Sequence, residues 1–166
     1  MRGPVAVLRR RDDGGATAVE FALVMLPLIY LVFGIIQYGL YFYAMQSGTS
    51  AASGAVRELT VGDCQDNSTL RAYIHKRLGP ASTTSAAGLT FFKEDGSTTA
   101  TGPVYYNSSN SEVSAPGNVG GRVALTVKFQ AINLHFPFIP VPNDGEVVRT
   151  SFGRIENTVP TGGGCT

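Results

Sequence analysis

Hydrophobic and polar positions divide this chain into two unequal parts. From Phe21 to Met45 apolar residues run almost without interruption, broken only by Gln37, and no charged residue stands between Glu20 and Arg57. As a helix the run spans about 37 Å at about 1.5 Å per residue. That exceeds a hydrocarbon core of about 30 Å, so the pattern predicts a membrane anchor that crosses with some tilt. The run is also longer than the apolar region of about 7–15 residues found in a secretory signal. The small residues of "SGTSAASGA" leave a signal-peptidase site, and with it a secreted product, as an alternative. No cysteine directly follows the run, which argues against a lipoprotein. Pro27 removes a backbone donor within the run and predicts a kink that a membrane helix tolerates. Gly34 and Gly39 offer places for close helix approach, or reflect the general frequency of glycine in such helices.

Beyond Met45 the helical period continues. Ala51, Ala52, Ala55, Val56 and Leu59 recur on one side, with Ser50, Ser53, Arg57 and Glu58 on the other, a small-residue stripe suited to tight packing. "TVGDC" interrupts it. "DNSTLRAYIHKRLGP" then reads as a short second helix, capped around Asp66 to Ser68 and stopped at Gly79-Pro80, with Leu70, Ile74 and Leu78 on one face. Its Arg71, Lys76 and Arg77 form a basic face, solvated or turned to lipid headgroups or a partner. After "ASTTSAAG" the period becomes alternating. "LTFFK" and "STTAT" flank "EDGS", a hairpin with its turn at Asp95-Gly96. Val123, Leu125, Val127 and Phe129 alternate with Ala124, Thr126, Lys128 and Gln130 as a further strand. Between them "YYNSSNSEVSAPGNVGG" reads as an exposed loop. "HFPFIPVPNDG", with Pro137, Pro140 and Pro142, reads as an extended connection ending in a turn, and "EVVRTSFGRIE" as the last strand.

Composition narrows the function. The chain has 166 residues, a formal charge of +1 and 15% charged residues, which suits one modest domain plus an anchor and disfavours nucleic acid as a partner. Arg2, Arg9, Arg10 and Arg11 precede the apolar run and the next basic residue is Arg57, so the positive-inside rule predicts a cytoplasmic N-terminus and an outer domain. Cys64 and Cys165 then fall on the oxidising side. A disulfide between them would close a loop of about 100 residues, with up to about 4.7 kcal/mol of stabilisation in the chain-entropy picture; two unpaired thiols are the alternative. His75 and His135 lack neighbouring cysteines or carboxylates in sequence, which gives no basis for a metal, a cofactor or a Ser-His-Asp site. The expected protein is not an enzyme and binds no small-molecule substrate.

Glu20 is the anomaly in this pattern. A carboxylate at a bilayer centre costs about 2.5–3.5 kcal/mol on insertion scales, and Glu20 is followed at once by "FALVML". It either snorkels to the cytoplasmic surface from the first turn of the helix or meets a cation brought by another molecule. "GGATAVEFALVMLPL" resembles the processing segment of type IV pilin-like proteins, in which a basic leader ends at glycine and a glutamate stands five residues after the cut. More narrowly, "AVEFALVMLPLIYLVFGIIQYG", "SGAVREL" and the late "VVRTSFGRIEN" resemble the TadE-like minor pseudopilins of the tight-adherence (Flp) pilus system, closely over residues 14–59 and loosely over residues 122–157.

The resemblance implies prepilin-peptidase cleavage between Gly15 and Ala16. It also implies pairing of Glu20 with the terminal amine of a neighbouring subunit. The expected plan is α+β: residues 1–15 a cytoplasmic basic leader, 16–60 a transmembrane helix with its outward extension, and 61–166 an extracytoplasmic domain with a short second helix and an antiparallel sheet. The expected function is that of a minor pseudopilin or pilus-assembly subunit in the bacterial cytoplasmic membrane, or in a surface pilus. Its partners would be the membrane, other pilins, the assembly platform and a prepilin peptidase. An uncleaved single-pass protein whose outer domain binds a ligand, a wall component or an assembly factor is the alternative.

Overall fold

The structure is a computed structural model that describes residues 14–62, 66–96, 98–113 and 119–156. The leader up to Asp13 and both cysteines, Cys64 and Cys165, lie outside the described residues. The expected α+β architecture is present: a long apolar N-terminal helix, a short second helix and an antiparallel sheet.

The first helix, α1 (Gly14–Thr60), is unbroken. Its helical course continues through Pro27, and it starts at Gly14 rather than at residue 16. The second helix, α2 (Asn67–Leu78), begins where the capping residues predict: the Asp66 carboxylate accepts from the backbone N–H of Ser68 at 3.1 Å and of Thr69 at 3.0 Å. These two bonds satisfy backbone donors that a helix start leaves open, and the hydroxyls of Ser68 and Thr69 donate to the same carboxylate. Gly79, with a φ of +53°, ends the helix. Leu70, Ile74 and Leu78 are buried on its inner face, as their spacing predicts.

The strands are β1 (Thr90–Phe92), β2 (Thr99–Ala100), β3 (Val104–Tyr106), β4 (Glu112–Val113), β5 (Arg122–Gln130) and β6 (Glu146–Arg154). The sheet is organised around β5. Along one side of it β6 pairs over its whole length, from Arg122 opposite Arg154 to Gln130 opposite Glu146. Along the other side β1 takes the C-terminal half, with Phe91 opposite Val127, and β3 takes the N-terminal half, with Tyr105 opposite Val123. The hairpin partners β2 and β4 extend these outward.

Two details differ from the sequence pattern. The first half of the expected loop is the β3–β4 hairpin, closed by Asn107, whose Oδ1 accepts from the N–H of Ser109 at 3.0 Å and of Ser111 at 2.8 Å. A side chain that mimics a backbone turn in this way is how Asn replaces Gly in tight reversals. Secondly, Ala124 and Thr126 are as buried as the inward row of β5. The Arg122 guanidinium lies between the rings of Tyr106, 4.5 Å away, and Phe152, 5.2 Å away. Lys128 reaches over Phe92 at 5.6 Å, and Thr126 and Thr150 share a hydroxyl hydrogen bond of 2.9 Å. Long amphipathic side chains therefore roof the outer face.

The inner face packs on the distal half of α1. Ala44, Ala51, Ala55, Val56 and Leu59 meet Val123, Leu125, Val127 and Phe129, with α2 and Phe91 closing the core. The alanine stripe lets the helix backbone approach the sheet, and β6 answers with Gly153. A methyl group there would lie 2.5 Å from Val56 Cγ1 and 2.5 Å from Thr60 Cγ2, both on stiff β-branched side chains. Gly48 has the same role lower down, where a methyl would fall 2.6 Å from the Phe129 ring.

Gly153→Val is expected to destabilise the domain by about 1–3 kcal/mol, the usual cost of overpacking, measured by chemical unfolding of the full chain in detergent. The Asp66 carboxyl is held below its ordinary value of 3.8, first by the Ser68 hydroxyl and then by the Thr69 N–H. Its contribution to stability is thus complete above pH 3.8 and is lost as pH falls through the lowered pKa. Asp66→Asn should remove that part of the acid slope, readable as a smaller difference in melting temperature between neutral and acid buffer.

Candidate functional site

Among the described residues the proximal half of α1 is left largely uncovered, with ring contacts only at Tyr30 and Phe33. Its most apolar window, with a mean hydropathy of 2.4, is wholly unburied, and Val19, Leu23 and Ile35 are about two-thirds exposed at 67%, 71% and 66%. An apolar surface of this extent is not stable against water and requires lipid or other helices around it. The helix is long and apolar enough to cross a membrane.

Glu20 is exposed on this rod, and it is the sole charged residue between Ala16 and Val56. Gly15 and Ala16 occupy the opening turn of the same helix, exposed, so the expected scissile bond lies within α1. Ala16 and Glu20 stand four residues apart, one above the other on the same face. Around Gly34 and Gly39 no atom of the described residues would meet an added methyl group, so both leave open backbone on the rod.

Where the rod enters the domain, the structure brings together residues that the sequence pattern left unconnected. Gln37, 1% exposed, donates through Nε2 to the carbonyl of Ile132 at 3.1 Å, and its Oε1 accepts from the N–H of Leu134 at 2.9 Å. A single amide thus satisfies two backbone groups of the connection between β5 and β6. The Tyr38 hydroxyl donates to the carbonyl of Pro140 at 3.0 Å. Further down, Phe136 stacks on Phe33 with ring centroids 4.5 Å apart, and Phe138 meets Tyr30 edge-on at 6.1 Å. The stretch "HFPFIPVP", expected to be extended, instead carries a turn in which the Ile139 N–H donates to the Phe136 carbonyl at 3.3 Å, with His135 and Phe138 left-handed, because docking of the two phenylalanine rings along the helix bends it. Gln37 was the available signal, because a polar side chain within an apolar run requires partners of its own.

On the opposite side a groove of about 600 Å³ separates α1 from α2, lined by Ser50, Ser53, Gly54, Arg57, Tyr73 and Arg77 among others. Arg77 lies over the Tyr73 ring at 4.9 Å, and the Tyr73 hydroxyl donates to Glu58 at 3.4 Å. Burial raises the Tyr73 pKa, with Arg77 opposing and Glu58 adding to the rise. Arg71 packs against Phe91 at 5.1 Å. Of the predicted basic face, Arg71 and Arg77 are thus engaged with aromatic rings and Lys76 is exposed. His75 is half-buried on α2 and His135 is exposed in the docked connection.

Gln37→Leu should leave the Ile132 carbonyl and the Leu134 N–H without their partner, at about 1–3 kcal/mol for each group that stays dry. The expected outcome is faster amide exchange at Leu134, with exchange in β5 unchanged.

No curated protein and no solved structure matches the chain. The family model described as TadE-like protein matches residues 15–57, the apolar rod and its alanine-striped extension, and over that stretch the resemblance to the TadE-like family holds.

Proposed function

We propose that the chain is a minor pseudopilin of a tight-adherence pilus, inserted with its N-terminus in the cytoplasm and packed beside other pilin-like subunits through the proximal half of α1. The TadE-like match over residues 15–57 suggests a pilus-associated subunit. The observation that carries the finer assignment is the uncovered rod bearing one carboxylate, Glu20, a single helical turn beyond Ala16.

Processing after Gly15 would free the Ala16 amine. A neighbour's amine brought against Glu20 would meet it at low dielectric, where opposite charges attract far more strongly than in water. A lone buried charge is costly and a paired one much less so, so the carboxylate favours subunits side by side over subunits dispersed in lipid. The open backbone at Gly34 and Gly39 permits close approach between such rods. The domain, exported with its cysteines into an oxidising compartment, would remain outside.

The uncleaved anchor is favoured by a different observation, the continuity of α1 across the Gly15–Ala16 bond. The mass of the mature N-terminus separates the two. A chain that starts at Ala16 is expected for the pseudopilin, and a chain that keeps Met1 to Arg11 would end that assignment. Glu20→Ala should abolish incorporation into filaments while membrane insertion is unchanged; filament yield equal to that of the natural chain would remove the role given to the carboxylate.

A further inference from the structure

We infer that the connection of residues 132–141 is a lipid-facing collar, seated in the headgroup layer of the domain-side leaflet with the Phe138 ring directed into the acyl chains. The inference rests on the assignment of α1 as a membrane span.

Phe138 is 88% exposed although it touches Tyr30, a residue of the apolar run itself. Its backbone is left-handed, with a φ of +65°, a conformation that bulky residues rarely adopt. Held in that way, the ring projects from the connection instead of folding under it. Leu134, 43% exposed, adds a second apolar side chain, and from Ile132 to Asn143 the connection has no carboxylate, lysine or arginine. Such a surface continues the apolar surface of the rod and is unsuited to water. Aromatic rings with one polar and one apolar side collect at the boundary between headgroups and hydrocarbon, and Tyr30 and Tyr38, about 12 Å apart along the helix at about 1.5 Å per residue, supply hydroxyls at the two ends of the collar.

The backbone determines the depth. An irregular, non-helical segment that faces lipid cannot enter hydrocarbon, because its unpaired N–H and C=O groups would have no partners there. The collar therefore stops the rod from sinking past Tyr30 to Phe33. About 20 residues of helix fill a hydrocarbon core of about 30 Å, and that length counted back from Phe33 reaches the first residues of α1. On this placement Glu20 lies about 10 Å inside the cytoplasmic boundary, at about 1.5 Å per residue. Without the collar the span would begin at Phe21, with the carboxylate at the surface. The collar thereby forces the charge below the headgroups.

The chain has no tryptophan, so single-tryptophan variants of the full chain can report depth in vesicles of phosphatidylethanolamine and phosphatidylglycerol with brominated acyl chains. Phe138→Trp is expected to lose most of its emission to bromine near the headgroup end of the chain, and Val24→Trp to bromine deep in the core. Lys76→Trp, on the exposed side of α2, should stay bright. Quenching of Val24→Trp with Phe138→Trp as bright as Lys76→Trp would overturn the collar and leave the spanning helix intact. A bright Val24→Trp would overturn both. Quenching of Phe138→Trp that fades as the protein-to-lipid ratio rises would make a second copy, not lipid, the occupant of this surface.

Discussion

A helix of 47 residues whose proximal half is apolar almost throughout and whose distal half is striped with alanine cannot satisfy both halves in one solvent. The distal half finds its apolar environment within the chain, under β5 and β6, where Ala44, Ala51 and Ala55 allow the helix axis to lie close to the sheet. Among the described residues the proximal half finds only the rings at Tyr30 and Phe33, so the rest of its environment must come from lipid or from neighbouring rods. The domain is built around that division. Its core is the covered half of α1, and its sheet has the length and the small residues that the covered half requires.

The boundary between the halves is where the chemistry concentrates. Gln37 is the last polar side chain before the uncovered stretch, and its amide holds the β5–β6 connection to the rod. Above it, Arg149 donates to the carbonyl of Met45 at 3.3 Å, a second polar tie between β6 and the helix. Surface ion pairs such as Lys93 with Glu112 and Arg122 with Glu94 contribute little beside these, because both partners remain in contact with water. Arg122 matters more for its packing on Tyr106 and Phe152 than as a charge.

Much of this was legible in the residues. The spacing of Ala51, Ala55 and Leu59, the face formed by Leu70, Ile74 and Leu78, and the Asp95-Gly96 turn each carry a local physical signature, and each stands where the pattern predicts. The β3–β4 hairpin was hidden because its turn depends on one asparagine side chain within a run of serines and asparagines. The burial of Ala124 and Thr126 was hidden because it depends on arginine and lysine stems, which composition counts as polar. The docking of residues 132–141 on Gln37 and Tyr38 was hidden for another reason: the partners are about a hundred positions apart, and no local period records such a contact. Glu20 was legible as an anomaly, and among the described residues it stands exposed on the rod.

The separation between Gln37 and Ile132 also imposes an order on biogenesis. The Gln37 amide of α1 leaves the ribosome well before the backbone groups that it will bind, which lie 95 and 97 positions later, and β6 follows those. Contacts this distant in sequence close slowly, so the helix must be held by the insertion machinery with its amide still solvated or temporarily partnered. A nascent chain arrested before Glu146 would be anchored yet lack the strand that covers Gly48 and Val56. Such a product would expose the alanine stripe to chaperones and proteases, so that quality control of this protein would act on the completion of β6.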